Sequence, residues 1–303
     1  MPKENTHIFF AEMVRKGLEN LDLFTLLSRE KKYYYLGAVM ADTFFYGKAE
    51  AIVKISDTLH GKDGNPTNEI IIDVLKKGES DRDLAHILGY ITHCALDMTF
   101  HPVIYYLTGN YYTQKEMEGS VKYRHRYMET CLDIVIGNTF RMHSLFKPEF
   151  MEGLIFESLI ADKFSLPLST IRRTFVRQMR FNRCFTNTAA YLAALVINMF
   201  GLLRDPDLIP LFYRGVRSRD CGSTKNVQYR DLVSGEKKVT SVTELFELAK
   251  EKAQEMMIAA YEYSKGAMTL EECMEKIPGE SLDTGLLKIP VSDIRYTAYN
   301  GKH

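Results

Sequence analysis

The stretch that most constrains how this chain can fold is AHILGYITHCALDMTFHP, residues 85–102. Its apolar residues demand burial, yet it carries His86, His93, His101 and Asp97. A charge taken from water without a partner costs several kcal/mol, so a buried helix with imidazoles and a carboxylate needs something that satisfies them. A metal ion is the partner that these residue types fit best. His93 and Asp97 stand four apart, which on a helix puts their Cβ atoms about 5–6 Å from each other, so both can meet one ion. A structural polar pair is the alternative reading of that spacing. His86, seven before His93, lies on nearly the same face and is read as structural or as support for a ligand. Pro102 disfavours helical geometry at His101, which predicts a helix break there and an imidazole aimed away from the others.

Other segments can supply further ligands. Asn5 or Thr6 can cap a helix that starts near His7 and runs past Gly17. A first-turn position favours neutral imidazole, the form that binds metal, although a surface histidine fits equally. A helix is expected over residues 31–45, and Asp42 is the only charge in the ten residues from Tyr33. That carboxylate needs a cation or several donors, unless it caps the next helix. Residues 50–59 read as a helix ending at His60-Gly61, followed by the loop GKDGNPTN. Thr67 or Asn68 opens a helix to Lys77. In KYRHRYMETCLDIVIG, His125 and Glu129 are again four apart. Alone such a pair means little on a surface helix, but here it repeats the first spacing.

Composition removes several classes. With 303 residues and 46% hydrophobic content the chain can bury a large core, and with equal numbers of basic and acidic residues it has no global field for nucleic acid or an anionic membrane. Five cysteines are scattered without a CxxC, so neither a disulfide framework nor a thiolate zinc site is indicated. The start MPKENTHIFF lacks a basic segment followed by an apolar run, and AAYLAALVINMFGLL (189–203) is shorter than the roughly 20 residues of a membrane span. The latter is expected to be a buried core helix, and the protein to be cytoplasmic with no transmembrane segment. Arg172, Arg173, Arg177, Arg180 and Arg183 form a basic face, either solvated or a partner or phosphate edge. After Asp205, NVQYRDLVSGEKKVTSV reads as a hairpin turning at Ser234-Gly235. Ser241 and Glu244 make a capping box that opens a helix to about Lys265, and residues 269–276 suggest another short helix. The aperiodic tail, 278–303, is expected to wrap the surface or be mobile. The expected division is a helical domain over 1–205 and an extension over 206–303 packed on it.

Taken in order, Asn5-Thr6-His7, Ala41-Asp42, Leu59-His60-Gly61, GYITHCALDMTFHP and His125-xxx-Glu129 resemble the zinc-dependent phospholipase C family, whose site layout is similar to that of P1/S1 nucleases. The resemblance covers roughly residues 5–130 and, more weakly, the core helices to about 203. It implies an all-α fold around a cluster of two or three zinc ions, to which the sequence adds only the small hairpin in the C-terminal part. It implies that Asp42, His60, His93 and Asp97 hold one zinc, that Asp97 bridges to a second bound by His7, and that His101, His125 and Glu129 hold a third. Asp42 is then the candidate general base. The implied reaction is hydrolysis of a phosphodiester, in a phospholipid or a small molecule, by a metal-activated water. The chain departs from the family's secreted enzymes in having no tryptophan and a tighter Asp97–His101 spacing. A non-catalytic, metal-stabilised lipid- or protein-binding module uses the same ligands and is the second reading. An HD-type hydrolase is disfavoured because no His-Asp dipeptide occurs. A di-iron bundle is disfavoured because it needs Glu-xx-His pairs. The sequence does not give the oligomeric state.

Overall fold

A computed structural model describes residues 3–112, 118–137, 140–218, 221–222 and 224–299. The fold is all-α. In chain order the helices are α1 (Glu4–Lys16), α2 (Leu21–Arg29), α3 (Lys31–Gly37), α4 (Glu50–Leu59), α5 (Glu69–Lys77), α6 (Asp81–Thr108), α7 (Glu118–Val135), α8 (Met142–Leu145), α9 (Ile155–Phe164), α10 (Leu168–Phe185), α11 (Thr188–Met199), α12 (Val242–Ser264) and α13 (Leu270–Lys276). Short 3-10 turns join several of them, including Thr43–Tyr46, Pro206–Leu211 and Tyr213–Gly215. The strands β1 (Val227–Arg230) and β2 (Lys237–Thr240) pair antiparallel, with Val227 opposite Thr240 and Arg230 opposite Lys237. Gly235 turns the hairpin at φ +76°, as its sequence predicts.

Helix α6, of 28 residues, is the axis of the molecule. Ser80 caps it by accepting from Asp83 N at 3.1 Å. Gly109 ends it at φ +97°. Helices α1, α3, α5, α7 and α12 all pack on it, so its Ile87, Leu88, Ile91 and Leu96 are buried on every side. Each such burial contributes roughly 1.5–3 kcal/mol, enough to carry the polar residues inward with it. The expected break at His101 does not occur: the helix passes through Pro102 to Thr108. Proline cannot donate to the Met98 carbonyl one turn back. The backbone of Gly285 crosses at that carbonyl, where a Cβ would approach it to 2.5 Å. Dense packing on both sides holds the helix through a residue that would otherwise interrupt it.

The contact of α3 with α6 is made by two glycines. A Cβ on Gly37 would stand 1.8 Å from the His86 carbonyl oxygen, and one on Gly89 would stand 1.8 Å from that of Tyr34. Only residues without side chains let these backbones meet. The approach sets Ala38, just past α3, against His93. We expect Gly89→Ala to force the helices apart and to cost about 3 kcal/mol or more in denaturant unfolding. An unchanged midpoint would contradict this packing.

Four other expectations change. Helix α1 begins at Glu4, not near His7, and Lys3 is its N-cap with no side-chain cap. Asn5 and Thr6 are instead buried partners of other segments: Asn5 Oδ1 accepts from Phe140 N and Thr6 N donates to Asp133. The helix expected over 31–45 ends at Gly37 and gives way to turns, so Asp42 lies in irregular backbone. It precedes the Thr43–Tyr46 turn without capping it. The tail is not a loose surface wrap. Leu282 N donates to His60 O at 2.8 Å and Val291 N to Lys62 O at 2.9 Å, and Ser281 to Thr284 are buried. Finally, α11 is not a core helix, since none of its residues is buried. It meets the protein along the half-buried stripe Ala190, Tyr191, Ala194 and Asn198. No helix among the described residues is long and apolar enough to cross a membrane.

Candidate metal centre

Four elements bring side chains to one buried place. His7 comes from the second turn of α1, Asp42 from the turns after α3, His60 from the end of α4, and His93, Asp97 and His101 from α6. All are at most 4% exposed. One donor atom from each of Asp42, His60, His93 and Asp97 lies within 4.8 Å of the other three. His60 Nε2 is 3.2 Å from Asp42 Oδ1 and 3.5 Å from both Asp97 Oδ2 and His93 Nε2. His93 Nε2 is 3.0 Å from Asp97 Oδ2 and 3.6 Å from Asp42 Oδ1. Ligand atoms at about 2.0–2.1 Å from a tetrahedral zinc stand about 3.3–3.4 Å from one another. Five of the six edges of this tetrahedron therefore have the length that one zinc ion requires.

The ring orientations serve the same end. His60 Nδ1 faces Ser56 O at 2.7 Å and His93 Nδ1 faces Ala38 O at 3.0 Å. A carbonyl partner keeps the proton on Nδ1 and turns Nε2, the free lone pair, to the centre. Asp97 uses its other oxygen on a second group: Oδ1 is 3.4 Å from His7 Nε2 and 3.7 Å from His101 Nε2. His7 also stands 3.8 Å from Asp42 Oδ2 and stacks on His93 with ring centroids 3.9 Å apart. The α7 pair is adjacent. His125 Nε2 is 3.1 Å from Glu129 Oε1, its Nδ1 is 3.3 Å from Thr108 Oγ1, and its ring centroid is 6.1 Å from that of His101. The pair lies beyond the four-residue cluster, on the far side of His101.

Close as they are, these groups do not satisfy each other. Among the described residues, His7 Nε2, Asp42 Oδ1, both Asp97 oxygens and His101 Nε2 are buried and have no hydrogen-bond partner. Such orphans are rare and costly. Atoms that converge at ligand spacing without hydrogen-bond geometry are arranged for a cation. In the metal-free chain, protons partly take that role. Burial opposes charge on His60, but the Asp42 and Asp97 carboxylates beside it lift it to about 10. The same carboxylates raise His93 against its burial. Burial, and then the neighbouring His93, push His7 down to about 3. Burial favours the protonated form of both carboxylates, but the imidazoles around Asp42 hold it below the usual range and those around Asp97 hold it well below.

Beside the cluster lies a cavity of about 630 Å³. Asp42 is the member of the four-residue cluster that lines it, and His125 and Glu129 line it too. Lys3, Arg126 and Arg177 supply positive charge to its wall, and Phe181 and Leu208 supply apolar surface. Burial lowers Lys3 to about 8 despite the nearby Asp133 and Glu4. The basic face of α10 thus divides. Arg172 pairs with Glu157 and Glu152, Arg177 faces the cavity, and Arg180 and Arg183 are exposed.

Sequence reasoning did not find Asp283, whose Oδ1 is 3.4 Å from His101 Nδ1 and accepts from Tyr105 OH at 3.2 Å. It sits in SLDTG, which reads as an ordinary turn, so no local signal marked it. Lys3 was equally silent. His86 is buried outside the cluster with its ring against Phe156 at 4.9 Å. Burial alone pushes it down to about 3. Its neutral form is thus native, while the unfolded chain takes up a proton below about pH 6.5. Stability from this group is present above that pH and is lost as pH falls toward 3. His86→Leu is therefore expected to recover roughly 2–3 kcal/mol relative to the parent between pH 7 and pH 4. Parallel urea midpoints for the two chains over that range would refute it.

A family model described as zinc dependent phospholipase C matches residues 6–197. No curated protein and no solved structure matches the chain.

Proposed function

The chain belongs to the zinc-dependent phospholipase C family, and from that premise we propose that it hydrolyses a phosphodiester with Asp42, His60, His93 and Asp97 holding one zinc ion. Asp97 Oδ1 and His7 face a second position, and His101, His125 and Glu129 serve a third. Family membership implies a hydrolase, and the buried Asp/His cluster fits zinc in donor type and spacing. Bound zinc supplies a Lewis acid and a water acidic enough to be a nucleophile at neutral pH.

The chain's own groups divide the remaining work. Asp42 touches both the cluster and the cavity, so its carboxylate can orient the attacking water and accept its proton. Arg177 has a buried Nη1 with no hydrogen-bond partner among the described residues, and it is placed to receive a phosphate oxygen. The cavity's size suits a phosphoester head group, within the roughly 300–1,000 Å³ of small-molecule sites. We also propose that residues 206–303 are an extension serving the helical domain of 1–205. Helix α12 lies along α6, and the tail hydrogen-bonds to His60.

The observation that carries this reading is Asp42 standing at once in the tetrahedral cluster and in the cavity wall. The test is hydrolysis of a chromogenic phosphodiester and of phosphatidylcholine by the zinc-loaded chain, beside Asp42→Asn. Turnover reduced about 10²–10⁴-fold in the variant is expected. A fully zinc-loaded chain that turns over no phosphoester would be a metal-stabilised binding module, and the hydrolytic reading would fail.

A further inference from the structure

The apolar helix α11 is the feature that the proposed chemistry leaves unused. No charged residue lies between Arg183 and Arg204. On the side away from Tyr191, Ala194 and Asn198, the helix and the turn after it expose Leu192 (56%), Val196 (52%), Met199 (73%), Phe200 (67%) and Leu202 (73%). A contiguous exposed apolar surface of this kind marks a place where something docks. At 1.5 Å per residue its 12 residues span about 18 Å, well short of a bilayer core of about 30 Å. Such a helix can lie in an interface but cannot cross it.

Two observations say what covers it. The first is charge. Although the whole chain has a net charge of zero, the segment from 180 to 218 carries Arg180, Arg183, Arg204, Arg214 and Arg217 against Asp205 and Asp207, and Arg126 pairs with Asp205 at 3.0 Å. All five arginines are exposed. Arg214 is next to Gly215, where a Cβ would meet the Tyr191 ring of α11 at 3.1 Å, so this charge sits beside the helix. Apolar residues rimmed by exposed cations are the pattern of a segment that inserts among acyl chains and attracts anionic head groups. The second is continuity with the site. Tyr191 packs on Phe212 (ring centroids 5.7 Å), Phe212 packs on Phe185 (5.2 Å), and Phe185 lines the cavity with Leu208 and Leu211. An apolar path of three rings thus joins the exposed helix to the cavity wall.

We propose that α11 is a monotopic docking element that lies in the surface of an anionic phospholipid membrane and holds the cavity against the lipid. The choice of occupant rests on the phosphodiesterase reading above, taken with a membrane phospholipid as the diester. In the test, the full chain is sedimented with vesicles of phosphatidylcholine containing phosphatidylserine, or of phosphatidylcholine alone, beside Leu192→Glu/Met199→Glu and Arg180→Glu/Arg183→Glu. The parent is expected to bind the mixed vesicles. The double glutamate variant of α11 should bind at least about tenfold more weakly, with an unchanged melting temperature and unchanged turnover of a soluble phosphodiester. The arginine variant should lose the preference for phosphatidylserine. Binding is read without turnover, so an inert chain that binds vesicles through α11 sinks only the hydrolytic reading. A chain active on the soluble diester that ignores vesicles, or a variant that binds like the parent, overturns this proposal. A parent that self-associates through α11, and is made monomeric by the variant without any vesicle binding, assigns the face to a second copy and overturns it as well.

Discussion

Asp97→Asn is expected to strip zinc from the chain by at least one equivalent and to lower phosphodiester turnover about a thousandfold or more. Asp97 is fully buried and stands against four imidazoles of the cluster: His93 at 3.0 Å, His7 at 3.4 Å, His60 at 3.5 Å and His101 at 3.7 Å. Asparagine keeps its shape but removes the charge, and one of the two facing oxygens becomes a donor. The cluster then holds four imidazoles against Asp42 alone. In the metal-free variant, His93 loses its nearer carboxylate and the His60 cation keeps only Asp42, and stranding a buried charge costs about 3–5 kcal/mol. The variant should therefore be less stable as well as inactive, which unfolding with and without chelator separates. Metal content and turnover equal to the parent's would show that Asp97 bridges nothing.

Chelation is expected to have the second largest effect. A metal that binds only the folded chain stabilises it by about 4 kcal/mol at a free concentration 1,000 times its dissociation constant. For a chain of this size that corresponds to a melting temperature on the order of 10 °C lower after chelation. The pH dependence has a definite sign. Without metal, His60 has a raised pKa of about 10, so its contribution is fully present below about pH 6.5 and is lost as pH rises through 10. Asp42 and Asp97 have lowered pKa values, so theirs is present above about pH 4 and is lost in acid. Zinc requires the same imidazoles neutral and competes with their protons. The gap in melting temperature between loaded and chelated protein should therefore widen from pH 5 to pH 8. A gap independent of pH would mean that the protons and the metal do not share these ligands.

What the sequence made legible follows from the range of the forces involved. The all-α class and the single hairpin were readable because helical periodicity, the Ser241–Glu244 capping box and the Ser234-Gly235 turn are local. The concentration of polar residues in 85–102 was readable because it conflicts with its apolar surroundings. What failed was set by distant contacts. Pro102 is accommodated within α6 where Gly285, nearly two hundred residues later, crosses its unserved carbonyl. Asp283 reaches His101 only because the tail folds back on His60. The apolar content of α11 indicated burial, but only the assembled fold shows that a single stripe of it meets the protein. The pairing of Gly37 with Gly89 is likewise invisible until α3 lies on α6.

The most direct test of the central claim is element analysis of the chain purified without added metal and then titrated with zinc, alongside His93→Ala. Two or more zinc ions per chain are expected in the parent and fewer in the variant, with the difference restored by no excess of zinc. A parent that binds no zinc at any point in the titration would contradict it, because the five ligand-length edges around Asp42, His60, His93 and Asp97 would then need another explanation.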